Sequence, residues 1–434
     1  MLNPEHRGLR RCCSDHVAYR RWSKLGIRAL ALALILAACG GTSIDGGTSA
    51  STTSSPAETA SPGGEQASTT TSAAGGETAE LSFSVAEGWK AVALGPGVKP
   101  AVALDPSGAP GVTWLFEAVG EGFLAFAESS DDWMVQVLGE GYFYGPIGLA
   151  YDPDGTPSIV FHDHQADSLD PELGDLVRLF WDGSAWVEDI ANDSGHDGWD
   201  ATVVIGDDGV IHAAGVDPAQ FGRTEGVEYY NNTGAGWDVT QIGSGPIPYQ
   251  FNVALALDQS GSPSITYYDD TDQDLVFAHL ENGSWNLERA AEEGNVGKYS
   301  SLAYDGEGRP AASFFHQTGS TEGEIVFALR GDDGWISETI GQLAAFSESN
   351  ARRNSSLAFD SQGRAHVVFS DTQGVWYAVR GESGWEIQQI VQAGLPLGQL
   401  VSLAIDGDDR PHIAIYEVTQ AQPLDGLVSY ITTE

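Results

Sequence analysis

Residues 301–340 read SLAYDGEGRPAASFFHQTGSTEGEIVFALRGDDGWISETI. Short apolar runs alternate with turn chemistry throughout. The run 301–305 ends at Asp305, and Gly308 and Pro310 punctuate the turn that follows. A second run covers 311–315, a third 325–329, and a fourth starts at Trp335 after Asp332-Asp333-Gly334. Runs of this length, bounded by Gly, Pro and Asp, read as strands. The stretch is four strands joined by tight turns.

The same unit recurs along the chain from about residue 81, and a repeat of this size decides an architecture. The turn Asp returns as Asp105, Asp152, Asp258, Asp305, Asp360 and Asp406, with Gly206 in the third slot. Three residues on stand Gly108, Gly155, Gly209, Gly261, Gly308 and Gly363, with Asp409 as the departure. The fourth strands open on Trp133, Trp186, Trp237, Trp285, Trp335 and Trp385, at gaps of 53, 51, 48, 50 and 50 residues. After Asp406 the chain holds only three strands before Glu434. The missing strand, with the missing tryptophan, lies at the other end in residues 88–94, around Trp89. Four-stranded units of about 50 residues arranged around an axis make a β-propeller. The sequence therefore predicts an all-β, seven-bladed β-propeller over 81–434, with the N-terminal strand closing the last blade.

The units also resemble the Asp-x-x-Gly-x-Pro…Trp repeats of secreted bacterial propellers, most closely at residues 264–269, Ser-Ile-Thr-Tyr-Tyr-Asp. That resemblance implies architecture and no particular activity. Upstream, residues 1–28 carry seven basic and two acidic side chains, and an apolar run from Ala29 to Ala38 leads to Cys39. Ten helical residues reach about 15 Å, half of a ~30 Å hydrocarbon core, so the run is a signal sequence and not a span. Leu36-Ala37-Ala38-Cys39 resembles the lipobox of bacterial lipoproteins. The resemblance implies cleavage after residue 38, acylation of Cys39 and an extracytoplasmic protein anchored to the cell membrane. Residues 39–80 follow as the lipidated Cys and a Gly/Ser/Thr-rich tether, too poor in apolar residues to order.

The full chain has 20 basic and 61 acidic residues, a net charge of −41. Loss of residues 1–38 would leave 13 basic and 59 acidic residues, a net of −46. So acidic a surface repels phosphates, which speaks against a nucleic-acid partner. Cys12 and Cys13 fall within the signal, so no disulfide is expected in the exported chain.

The turn Asp and Gly are expected to hold turns, since Asp accepts backbone N–H bonds and Gly takes positive φ. Eleven residues after each marker stand Phe116, Asp163, Asp217, Asp269, His316, Asp371 and Glu417, read as caps of the next loop. His162, Asp163 and His164 form the candidate metal cluster for zinc or a similar ion, and Asp270, Asp272 and Asp274 an alternating set for calcium. No cofactor is otherwise implied.

Loops leading into the first strands gather at one mouth of the channel and carry Tyr144, Trp199, Tyr249, Phe251, Lys298, Tyr299, Arg352 and Arg353. Aromatic faces beside hydrogen-bonding cations suit a glycan or a peptide. Sialidase, nucleophile-elbow, His-Glu-x-x-His and phosphate-loop motifs are missing. The expected function is a monomeric, lipid-anchored, non-catalytic binding module. Its rival is a carbohydrate-active enzyme, which needs two carboxylates about 5–10 Å apart. Replacing Cys39→Ser is expected to release the protein from membranes or to leave an uncleaved precursor. Mass spectrometry and membrane fractionation decide, and an unchanged mass with unchanged retention removes the lipid anchor.

Overall fold

The turn between the first two strands of each unit repeats in detail. Asp105 Oδ1 accepts the N–H groups of Ser107 and Ala109, both at 2.8 Å. Gly108 N donates to the Asp105 carbonyl at 2.9 Å, with Gly108 at φ 84°. Asp152, Asp258, Asp305, Asp360 and Asp406 hold their turns in the same way. Where glycine is replaced, Asp409 takes the same left-handed conformation at φ 62°, which Asp tolerates better than most residues. The structural reading of these residues therefore holds.

The computed structural model describes residues 81, 83–118, 121–129, 132–141, 143–163, 174–192, 198–217, 226–244, 253–320, 322–343, 355–392, 401–418 and 426–434. The strands form seven separate antiparallel sheets, counted here as blades in chain order. Blade 1 runs Val98–Leu104, Pro110–Ala118, Glu121–Ser129 and Trp133–Gly141. Blade 2 runs Phe143–Tyr151, Pro157–Asp163, Asp175–Trp181 and Trp186–Asn192. Blade 3 runs Trp199–Ile205, Ile211–Asp217, Gly226–Asn232 and Trp237–Ser244. Blade 4 runs Val253–Leu257, Pro263–Asp269, Asp274–Glu281 and Ser284–Ala291. Blade 5 runs Asn295–Tyr304, Pro310–Gln317, Gly323–Gly331 and Gly334–Leu343. Blade 6 runs Ser355–Phe359, Ala365–Asp371, Gly374–Gly381 and Gly384–Gln392. Blade 7 runs Ser402–Ile405, Pro411–Val418 and Gly426–Thr433, and its fourth strand is Trp89–Pro96.

The last blade is closed as expected: Trp89 pairs with Thr433 and Pro96 with Leu427. A further strand was not foreseen. Ser84–Val85 adds a fifth strand to blade 6, opposite Gln392 and Val391, while Phe83 is buried among the apolar residues shared by blades 6 and 7. The segment from Phe83 to Pro96 thus fastens two blades.

Burial peaks at the second strands and falls toward the rim. Second strands are buried at almost every residue, as in Pro263–Asp269, because both faces meet a neighbouring blade. Fourth strands are only partly covered, as in Gly334–Leu343, where half of the residues face solvent. The tryptophans that open them reach back to the preceding blade. Trp186 packs edge-on against Phe126 at 5.2 Å, Trp285 against Tyr229 at 5.1 Å, Trp335 against Phe277 at 5.2 Å and Trp385 against Phe327 at 5.3 Å. Trp89 meets Tyr377 at 5.1 Å in the same edge-on way, so the closing blade uses the contact of the others.

Burial of a ring this size makes truncation costly. Trp335→Ala and Trp89→Ala should each destabilise by about 3–5 kcal/mol, and Trp335→Phe by about 1 kcal/mol through the lost indole N–H bond. Chemical denaturation measures all three. A midpoint unmoved by Trp89→Ala would show that the N-terminal strand does not close the ring.

Candidate functional site

Two regions carry chemistry beyond the repeats: the channel mouth and the grooves between outer strands. At the mouth, the first strands of blades 1, 3 and 5 share a device. A glycine (Gly97, Gly198, Gly297) precedes a register shift, and two residues on stands a non-glycine at positive φ: Lys99 at 57°, Asp200 at 56° and Tyr299 at 56°. Bulges of this kind re-aim side chains. Here they turn them inward. Lys298 is buried, donates from Nζ to Gln317 Oε1 at 2.8 Å and lies 5.3 Å from the Tyr268 ring centre. Tyr299 is 0% exposed and packs against Phe315. The expectation that these two present an exposed cation and ring at the mouth is corrected: the bulge folds both into the contact between neighbouring blades. Its sequence signal was a glycine eight residues before the turn marker, which four units carry: Gly97, Gly198, Gly297 and Gly398, the last outside the described residues.

Trp199 is half-buried, with its ring centre 4.6 Å from that of His162. Tyr144 lies on the first strand of blade 2, opposite His162. Tyr249, Phe251, Arg352 and Arg353 fall outside the described residues, as do His164 and Cys39.

The metal readings fare poorly where they can be checked. His162 and Asp163 are consecutive on one strand and project to opposite faces, so they do not converge on one ion. His162 is fully buried beneath Trp199. The calcium set is occupied by a cation of the chain itself. Arg289 binds Asp269 at 2.9 Å and Asp272 at 2.7 Å, and its Nε is 3.6 Å from Asp274. No group of three or more potential ligands converges among the described residues. Loop capping is seen directly: Asp371 Oδ1 accepts from Gln373 N at 2.8 Å and Trp376 Nε1 at 3.1 Å. Asp163 differs from its counterparts. Burial first, and then the Glu188 and Asp175 charges, push its carboxyl up to about 7.

The outer grooves were not foreseen as sites. Glu288, three residues after Trp285, accepts from Trp335 Nε1 at 2.8 Å and from Arg330 at 2.6 and 3.2 Å. One groove on, Glu338 accepts from Trp385 Nε1 at 3.1 Å and from Arg380 Nε at 2.6 Å. The paired side chains keep 38–46% of their surface in solvent. Burial pushes the Glu288 carboxyl up, but bonds from Arg330 and Trp335 outweigh it and hold the group below the usual range. By strand alternation the exposed Ile336 lies on the Glu338 side of its strand, and the exposed Ile387 on the Trp385 side of the next. The groove between blades 5 and 6 therefore combines a charged hydrogen-bonding pair with apolar surface. The sequence signal was an Arg five residues before the strand-opening Trp, together with a Glu three residues after the Trp one unit earlier.

No family model matches the chain. No curated protein matches it either. Among solved structures, it is similar to a protein of unknown function from Dyadobacter fermentans DSM 18053, with TM-score 0.46 and 11% identity, covering 80% of this chain and 100% of that one. It is similar to the Aleuria aurantia lectin in complex with Fucα1-6GlcNAc at TM-score 0.46 and 15% identity, covering 69% and 96%. A Penicillium chrysogenum α-L-arabinanase complexed with arabinobiose gives TM-score 0.46 and 12% identity, covering 67% and 93%.

At the turn end, Asp360 Oδ2 takes bonds from His366 Nε2 at 3.0 Å and Arg364 Nε at 2.6 Å, and His366 Nδ1 meets the Tyr377 hydroxyl. Asp406, His412 and Tyr430 repeat the chain one blade on. Burial raises the Asp360 pKa, but the His366, Arg364 and backbone bonds hold it down to about 2. A depressed carboxylate stabilises the fold above its unfolded pKa of about 4, and the contribution fades as pH falls toward 2. Asp360→Asn should therefore cost about 1.5–3 kcal/mol at pH 7, and a smaller amount as the pH approaches 2. A penalty independent of pH between 2 and 7 would show that the charge is not what matters.

Proposed function

We propose that this chain is a lipid-anchored, extracytoplasmic glycan-binding module, non-catalytic, with contacts in the outer grooves. The observation that carries this reading is the twice-repeated Arg–Glu–Trp arrangement in neighbouring grooves. A guanidinium with five donors beside a carboxylate with about four lone-pair sites has spare capacity on both groups. Planar paired donors and acceptors match vicinal hydroxyls, and the adjacent apolar surface suits the C–H face of a sugar ring. Two such grooves in successive blades allow two sugars of one glycan to bind together, which raises avidity without new contacts. Tyr249, Phe251, Arg352 and Arg353, on the segments leading into blades 4 and 6, remain candidate contacts at the mouth. The lipid anchor rests on the lipobox at Cys39.

One observation favours the enzyme reading: the Asp163 carboxyl, held near 7 beside two other carboxylates, has the pKa of a general acid. Release of reducing sugar from a polysaccharide panel, abolished by Asp163→Asn, would establish it.

A glycan array probed with the mature protein tests the binding reading. Arg330→Ala with Arg380→Ala should weaken the strongest signals at least tenfold. Exposed ion pairs contribute only about 0–1 kcal/mol each, so stability should hardly move. Array binding unchanged in the double variant removes the grooves as the site.

A further inference from the structure

At the axis lies a cavity of ≈ 190 Å³ to which the inner strands of all seven blades contribute. Its lining comes in every blade from positions three to five residues before the turn marker, as with residues 355–357 before Asp360. Ser301, Ser356 and Ser402 of blades 5 to 7 and Thr202 of blade 3 bring hydroxyl-bearing side chains to the lining, whereas Ser300 and Ser355, also among the lining residues, bond their hydroxyls to Thr266 and Ser313 of the second strands. Aliphatic residues of blades 1, 2 and 4 line most of the remainder, and no ionisable or aromatic side chain is among the described lining residues.

The hydroxyls are fixed in place by the neighbouring blade. Ser301 Oγ accepts Leu357 N at 3.0 Å, Ser356 Oγ accepts Leu403 N at 3.1 Å and Ser402 Oγ accepts Val102 N at 3.1 Å. Each of these groups has its own proton left to donate and a second lone pair to offer. Side chains held this way do not lose rotamer freedom on binding, which favours a ligand that meets them.

We propose that the channel cavity binds one small neutral polyol, with its hydroxyl edge toward the serines of blades 5 to 7 and its C–H face toward the aliphatic arc. The volume is below the roughly 300–1,000 Å³ of sites for drug-sized ligands, which sets the size at a single sugar-like ring. None of the described lining residues offers a counter-charge to a charged ligand, whose burial would then cost several kcal/mol, which favours a neutral one. The polyol is either free or the end of a glycan. This deepens the glycan-binding reading and rests on it for the ligand class alone.

Titration calorimetry of the mature protein with D-xylose, myo-inositol and xylotetraose fixed through its reducing end tests the proposal, with D-glucuronate as the charged control. At least one neutral probe should bind saturably. Ala254→Leu fills the cavity without removing a hydrogen bond and should weaken that binding at least tenfold. Ala254→Val, a smaller insertion, should weaken it less, and Ser356→Thr, which keeps the hydroxyl, should retain it. Binding of a free probe assigns the cavity to a free polyol, and binding of xylotetraose alone assigns it to a chain end; either supports the site. Arg330→Ala with Arg380→Ala should leave probe affinity unchanged even if array binding is lost, so the two readings fail separately. No saturable binding by any neutral probe, equal binding of glucuronate, or full affinity in Ala254→Leu overturns the proposal.

Discussion

The ring depends on one contact made again and again: an indole from each outer strand, turned back against the blade before it. The edge-on packing buries a large ring at a fixed place. The indole N–H then finds an acceptor three residues after the preceding tryptophan. Gln136, Asp189, Glu288, Glu338 and Gln388 fill that role for Trp186, Trp237, Trp335, Trp385 and Trp89. One side chain thus supplies both the apolar area and the direction that set blade to blade. The acceptor varies between amide and carboxylate because the indole needs only an oxygen. That freedom lets two junctions carry a charged pair without altering the scaffold.

At the axis the constraint is different. Inner strands are sheet edges, and an edge amide shielded from water needs a partner. Serines four residues before the turn Asp supply it across three junctions, from blade 5 to 6, 6 to 7 and 7 to 1. Two of these flank the blade completed by the N-terminal strand, where the ring is closed by hydrogen bonds and packing alone. The Ser84–Val85 strand and the buried Phe83 reinforce the same place from the rim.

The sequence made the ring legible because its markers are local. A turn Asp with Gly three residues on needs only its own loop, and a tryptophan at a 50-residue period needs only the next copy. Even the composite blade followed from one displaced Trp89. The candidate site was less legible because it is made between repeats. Glu338 and Arg380 are 42 residues apart, and their pairing depends on which side of each strand faces the shared groove. Lys298 and Tyr299 were misplaced for a related reason. Strand alternation gives no warning of a bulge, and the left-handed backbone at Tyr299 reverses what a loop position would suggest. Asp272 and Asp274 looked like a cation site and are one, but the cation is Arg289, on the neighbouring strand of the same blade.

The backbone repeats seven times, yet the polar chemistry does not. Every one of the seven described arginines pairs with a carboxylate, and six of them, Arg289, Arg309, Arg330, Arg364, Arg380 and Arg410, lie in blades 4 to 7. The serine arc of the channel lies in blades 5 to 7. In a chain with so large an excess of acid, a cation left alone would be drawn to whichever carboxylate was nearest. Holding each arginine against a chosen partner fixes where its remaining donors point. Folding around the tryptophans needs none of this asymmetry, since Trp186 and Trp285 seat their blades with Trp181 and Leu280 in the slot where Arg330 and Arg380 stand. The groove arginines Arg330 and Arg380 are therefore additions to a scaffold whose other junctions stand without them, whereas the channel serines and the turn arginines also serve the ring's own structure.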